Sequence, residues 1–386
     1  MAPQPFTLAV PEAELADLRE RLSRTRLPDQ APGDPWAYGT SVAYLKDLLA
    51  HWRDGFDWRE QEAALNAFPN FKVAHHGIDL HFLHVAGQGP SPMPLLLMHG
   101  WPGSVFEFLD ILPRLTDPAR FGGDPRDAFT VVAPSMPGFG LSFAPGQKRF
   151  GIAEMGACNA ELMTDVLGYQ RFGVAGGDWG GITAANMAAL RPDPLIGIHV
   201  TLLALRRDPS VFQGAPTPAE QKFQAELAHW LHEETGYQWI QGTRPQTLSA
   251  ALADSPAGLA AWIAEKFQRW TDNTGEPESA VPRERLLANI ALYWFTNSIG
   301  ASFWPYYDRL HGAQMIPDGK PVRVPTGYAD FPCEILRPPR SLAERFFTDI
   351  RRWEVMPRGG HFAALEQPGL LAGEIAAFFR PLRSAA

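Results

Sequence analysis

Cysteine is scarce: Cys158 and Cys333 are the two in 386 residues, and neither belongs to a C-x-x-C pair. That excludes a disulfide framework or a zinc knuckle and fits a reducing, cytoplasmic setting. Positive charge is not in excess, since 34 lysines and arginines stand against 42 aspartates and glutamates for a net charge of -8. This is the wrong sign for binding a phosphate backbone, so no nucleic acid partner is expected. Long apolar runs are missing. The run around Leu95 to Met98, like every other, is far short of a membrane span, and Met1 to Val10 lacks a basic stretch followed by an apolar one. A soluble chain without a membrane span or secretory leader is the expectation. Internal repeats and low-complexity tracts are also absent. What is present is an ordinary globular balance, 45% hydrophobic and 20% charged residues, which excludes a disordered chain. Proline (36), glycine (35) and tryptophan (12) are plentiful, pointing to tight loops and an aromatic-lined cavity or contact.

Leu15, Leu18 and Leu22 follow helical spacing after Pro11. A second helix is predicted from Ser41 to Trp52, and a third opens at Asp57 with Glu60 at capping-box spacing. The first 70 residues therefore read as a helical wrapping. Alternating apolar residues on either side of His76-Gly77 then predict a β-hairpin. A strand (Pro94 to Met98), a helix through Leu115, a strand (Phe129 to Ala133), a helix (Ile152 to Leu167), a strand (Phe172 to Ala175), a helix to Leu190 and a strand (Leu195 to Leu202) follow. This alternation implies a mostly parallel sheet with helices on both faces. From about Ala204 to Pro317 it breaks into a helical, tryptophan-rich stretch read as an inserted cap. It resumes with a strand (Thr326 to Phe331), a helix (Ser341 to Arg351), a short strand (Trp353 to Met356) and a last helix to Phe379. The expected organisation is residues 1–70 as an N-terminal helical segment, 71–203 with 318–386 as the α/β core, and 204–317 as the cap.

The strongest chemical signal is Gly176-Gly177-Asp178-Trp179-Gly180 between a buried strand and a helix. It has the small-x-nucleophile-x-small form of a nucleophile elbow with aspartate in the central place. The plain rival is an N-cap aspartate after a glycine turn. A phosphate loop fits worse, because G-K-[ST] is missing and a carboxylate would repel phosphate. His99-Gly100-Trp101-Pro102-Gly103 follows an earlier strand, where the Trp101 N–H can point at the elbow and share an oxyanion hole with the Trp179 N–H. Among the eleven histidines, His361 stands out because it follows the last strand. With Glu334 it completes the hydrolase order of nucleophile, acid and histidine. Asp330 at the same strand end is the rival acid. A carboxylate nucleophile suits displacement at saturated carbon, because on a carbonyl it would form a labile anhydride.

These segments resemble the epoxide hydrolases of the microsomal and juvenile-hormone type, which have an α/β-hydrolase fold. The resemblance spans almost the whole chain: the N-terminal helical segment, His99 to Ser104, Gly177 to Gly180, Asp254 to Ala260, and Arg358 to Ala364. It implies Asp178 as nucleophile, His361 as base and Glu334 as its acid partner. It also implies two cap tyrosines as acids: Tyr237, and Tyr306 with the adjacent Tyr307 as alternative. The implied reaction is hydrolysis of an epoxide to a vicinal diol through an aspartyl ester, with no metal or organic cofactor. Substrate and water are the expected partners; monomer or homodimer is left open. The membrane-anchoring segment of the animal members has no counterpart here, so membrane attachment is not expected. The tryptophans of the cap suggest an apolar or aromatic epoxide. A dehalogenase on the same scaffold is the first alternative and would need halide donors such as the Trp101 or Trp179 indoles. A noncatalytic ligand-binding member of the fold is the second.

Overall fold

The computed structural model describes residues 2–205, 211–212 and 214–385. Positions 206–210 and 213, which fall in the stretch read as a cap, and the terminal residues 1 and 386 lie outside the described residues. The hairpin forms as its pattern requires: β2 (Asn70–His75) and β3 (Ile78–Val85) pair antiparallel. Between them His76 and Gly77 both take positive φ, 50° and 78°, which matches a two-residue turn to the twist of the strands. A two-residue strand not foreseen in the sequence, β1 (Gln4–Pro5), adds outside β2. The remaining strands are β4 (Met93–Met98), β5 (Phe129–Pro134), β6 (Phe172–Gly176), β7 (Leu195–Val200), β8 (Thr326–Asp330) and β9 (Ile350–Val355).

The sheet order is β1-β2-β3-β5-β4-β6-β7-β8-β9, antiparallel as far as β5 and parallel beyond it. The parallel strands β7 and β8 are buried at every residue, as helices on both faces demand. Register places the site. β4 and β6 pair from Leu95↔Gly173 to Met98↔Gly176, so the loops leaving their carboxyl ends start level with each other. At the other end of the site β8 and β9 end level at Asp330↔Val355, and a bridge of Cys333 to Gly360 draws the two following loops together. Ligands of open parallel sheets bind at these carboxyl ends.

Between β7 and β8 the described chain forms helices and no strand, including Pro218–Glu233, Gly236–Thr243, Pro256–Trp270, Arg283–Thr296 and Trp304–Leu310. The helices Glu12–Ser23, Val42–Asp54 and Trp58–Asn66 lie between β1 and β2 in the chain and lean on this stretch. Tyr44 donates to Glu278 at 3.0 Å, Thr40 to the Ala261 carbonyl at 2.7 Å, and Arg283 pairs with Asp47 at 2.8 Å. No helix among the described residues is long and apolar enough to cross a membrane.

Two expectations need correction. The helix read from Ser341 to Arg351 is a single turn, Arg340–Ala343, and β9 already begins at Ile350. Phe346 and Phe347 have helical spacing from Leu342 and Ala343. The backbone at 346–348 is instead tied to Val322 through Val322 N–H to Phe346 O (2.8 Å) and Thr348 N–H to Val322 O (2.9 Å). The helix read through Leu115 is two short pieces, Val105–Phe108 and Leu112–Thr116.

Candidate active site

The helix Asp178–Leu190 starts directly on β6, and Asp178 takes φ +46°. For a non-glycine residue this left-handed conformation is uncommon and points to a specific demand on the side chain. The capping role considered for Asp178 does not apply: Gly177 occupies the N-cap position, and the Asp178 carboxylate turns to the neighbouring loop. There Trp101 N–H donates to Asp178 Oδ1 at 2.7 Å. The loop holding Trp101 is fixed by His99, whose Nδ1–H donates to the Gly100 carbonyl at 3.0 Å while its Nε2 accepts from Met136 N–H at 3.1 Å. Burial lowers the His99 pKa to about 4, so the ring is neutral, as these two bonds require. Asn289 and Tyr293, from Arg283–Thr296, donate to the carbonyls of Pro102 and Gly103 at 2.6 and 2.8 Å.

His361 and Glu334 meet from the loops after β9 and β8. His361 Nδ1–H donates to Glu334 Oε1 at 2.6 Å, and both side chains are buried. The other ring nitrogen, Nε2, lies 3.6 Å from Asp178 Oδ2, too far for a hydrogen bond and close enough to share a water. Burial alone would lower the imidazole's pKa. Glu334, through its charge and its hydrogen bond, outweighs that together with Asp178 and Glu107, and the value rises to about 9. The rival acid Asp330 is placed elsewhere, paired with Arg337 at 2.6 and 3.0 Å.

Tyr237 and Tyr306 come together over this group, ring centroids 5.6 Å apart, in a box with Trp101 (5.4 Å from Tyr237), Trp179 (4.8 Å from Tyr306) and Trp270 (5.0 Å from His361). Tyr306 is buried and its pKa is raised well above the phenol range by burial, by Tyr237 and by the charge of Asp178. Tyr307, the neighbouring candidate, stacks instead on Trp304 and His311 at 4.6 and 3.9 Å. Trp270 from the inserted stretch reaches the site; Trp239 is exposed, Trp304 packs on Tyr307, and Trp294 lies under Arg21.

Three carboxylates escaped sequence reasoning. Glu107 is buried against the Asp178 and His361 cluster. Asp272 and Glu366 clamp the His361 loop to the end of Pro256–Trp270: Gly359 N–H donates to Asp272 at 2.8 Å, and Phe362 and Asp272 N–H donate to Glu366 at 3.0 and 2.7 Å. A glutamate near the start of a helical turn gives no signal distinguishing it from a solvated one.

Residues 3–108 match the family described as "Epoxide hydrolase N terminus", and residues 93–368 match "alpha/beta hydrolase fold". A putative epoxide hydrolase of Stigmatella aurantiaca is 44% identical over 98% of this chain and 85% of its own. Epoxide hydrolase 1 of Oryctolagus cuniculus is 39% identical over 97% of this chain and 88% of its own. The crystal structure of juvenile hormone epoxide hydrolase from Bombyx mori superposes with a TM-score of 0.90 at 31% identity, covering 100% of this chain and 95% of that one. The chain belongs to the epoxide hydrolases of the microsomal and juvenile-hormone type, built on the α/β-hydrolase fold.

Proposed function

We propose that this epoxide hydrolase opens its substrate by attack of the Asp178 carboxylate on a ring carbon, forming an alkyl ester that water cleaves to release a vicinal diol. The observation that carries the reading is one carboxylate set between three kinds of group. The Trp101 amide holds Oδ1 at 2.7 Å, His361 Nε2 stands 3.6 Å from Oδ2, and the buried phenols of Tyr237 and Tyr306 lie close above. Ring opening creates a strongly basic alkoxide that needs a proton. Tyr306 supplies an acid that burial keeps protonated. A halide would leave without one, so the phenol pair favours an epoxide over a haloalkane.

Esterification also prepares the second step. The charge of Asp178 is part of what raises the His361 pKa. Once that charge is masked the imidazole gives up its proton more readily and can act as base toward water. Negative charge growing on the ester oxygen is held by the Trp101 amide and by the Trp179 amide, one of the first N–H groups of a helix and so without an intrahelical acceptor. The aromatic box fits an apolar or aryl epoxide. A reducing, cytoplasmic setting belongs to the same reading, since Cys158 and Cys333 are free thiols.

A single turnover in heavy-oxygen water tests the ester: the label should enter the Asp178 carboxylate, and Asp178→Ala should lose turnover while keeping the native circular dichroism. Label found first in the diol would mean direct attack by water. Tyr237→Phe and Tyr306→Phe should each slow ester formation by roughly ten- to a thousandfold, and the double variant should nearly stop it. Haloalkane turnover surviving in that double variant, with no epoxide turnover in the wild type, would defeat the reading.

A further inference from the structure

A cavity of about 30 Å³ opens against Asp178 and His361. Space of that order holds one or two waters and no organic epoxide. Its walls include Gly100, Gly177, Glu107, Phe362 and Leu371, and neither Tyr237 nor Tyr306 is among its lining residues. The phenols that would receive the epoxide oxygen and this small space therefore meet Asp178 separately. Of the described lining residues, Asp178 and Glu107 carry the carboxyls.

Glu107 belongs to the turn Val105–Phe108 that follows the Trp101 loop, and its carboxyl folds back over that loop. A Cβ at residue 103 would fall 1.3 Å from Glu107 Oε1, so glycine there leaves the space that the carboxyl fills. We propose that Glu107 is the second acceptor for the hydrolytic water, holding in this cavity the proton that His361 does not take. The inference rests on the reading of Asp178 as the esterified residue. A water bonded to His361 alone can pivot about that bond. Fixing both of its protons leaves a lone pair aimed at the ester carbon, and orientation of this kind is a large part of the barrier.

The chemistry balances. The water oxygen bonds to Asp178 Cγ, one proton passes to His361 Nε2, and the other stays on the oxygen, donated to Glu107. On collapse the bond from Cγ to the alkyl oxygen breaks, and that oxygen takes the His361 proton to complete the diol. The proton left on the regenerated Asp178 carboxyl returns through solvent to the tyrosine that lost its own in ring opening. Electrostatics agree: burial chiefly, and Asp178 in addition, push the Glu107 carboxyl up to about 8, against His361 and the Ser104 amide. Ester formation removes the Asp178 contribution, making Glu107 a better acceptor in the half-reaction that uses it.

The test separates the two half-reactions in the full-length enzyme, with styrene oxide as probe, rapid quench and intact mass. Glu107→Leu should form the ester at about the wild-type rate and hydrolyse it about a hundredfold more slowly, so the adduct accumulates. Glu107→Gln, which preserves shape and one acceptor oxygen, should show the same split at about tenfold and keeps the test open if the leucine variant misfolds. Wild-type ester lifetimes in the folded variants, or equal losses in both steps, overturn the proposal. His361→Gln serves as the control. An adduct there alongside wild-type lifetimes in the Glu107 variants sinks Glu107 alone, whereas no adduct in His361→Gln removes the Asp178 ester and this proposal with it.

Discussion

Glu334 and His361 form a buried pair in which one carboxylate oxygen carries the whole interaction. Oε1 accepts from His361 Nδ1–H at 2.6 Å and from Ile335 N–H at 2.7 Å, while Oε2 is buried with no partner. A buried oxygen without a donor is costly, so the charge of Glu334 is directed at the imidazole. That charge raises the His361 pKa, and the sign of its removal follows. In Glu334→Gln the imidazolium loses its main support, the pKa falls, and neutral His361 persists to lower pH. The acid limb of ester hydrolysis should therefore shift to lower pH, while its plateau drops by about a hundredfold or more because the ring is less well oriented. Ester decay followed across pH checks both effects. An unmoved limb would mean that Glu334 does not set the imidazole, and Asp330, tied to Arg337, could not replace it without breaking that pair. At this scale Asp178, Trp101, Glu334 and His361 were legible because each sits just past a strand in the order the fold uses. Glu107 was not, since Asp178 and His361 reach it from the ends of other strands and leave no mark on the local sequence.

The element that governs the site is the strand–turn–helix of β6 and Asp178–Leu190. Its close approach to β4 depends on glycine: a Cβ at Gly180 would fall 2.1 Å from the Met98 carbonyl oxygen and 2.6 Å from its carbon. Backbone cannot yield as a side-chain tip does, so Gly180→Ala has to push the first helical turn away from β4. The first turn carries Asp178 and the Trp179 amide, and the end of β4 leads into the Trp101 loop. Overpacking of this kind should destabilise the fold by about 1–3 kcal/mol. A displacement of about an ångström should also lower turnover by a hundredfold or more. Urea unfolding and steady-state assays measure the two separately; unchanged stability and turnover would show that the turn has slack. The elbow could be read in sequence because its glycines mark where backbone meets backbone. The misread helix after Ser341 shows the opposite case: apolar spacing at Leu342, Ala343, Phe346 and Phe347 is helical, but the choice was made by Val322, which pairs with Phe347 from 25 positions earlier.

Across the whole molecule, the helices between β7 and β8 are held from two directions. The N-terminal helices grip them from outside through Thr40, Tyr44 and Asp47. The His361 loop grips from the site, where His361 N–H donates to the Trp270 carbonyl at 2.8 Å and Glu366 joins Phe362 to Asp272. Alternation of strands and helices announced the core, but nothing in sequence announced this junction, because Asp272 and Glu366 are 94 positions apart and each reads as surface. Glu366 is buried, and burial raises its pKa to about 7 against the pull of the amides of Asp272, Phe362 and Gly360. The native state therefore holds a proton here that the unfolded chain releases near its ordinary carboxyl value, so this residue's contribution to stability declines as pH rises from about 4.5 to about 7. Glu366→Gln does not titrate, and the stability difference between variant and wild type should follow that same window. At low pH the variant should be less stable by about 1–3 kcal/mol, because an amide has one acceptor oxygen and turns its NH2 toward backbone donors. As pH rises through the window the deficit should narrow. Because the clamp positions His361 rather than Asp178, ester hydrolysis should slow while ester formation changes little. Urea unfolding across pH and the trapped-ester assay report these independently. Equal losses in both half-reactions would place Glu366 in support of the whole site, and a pH-independent deficit would mean that its carboxyl titrates alike in the folded and the unfolded chain.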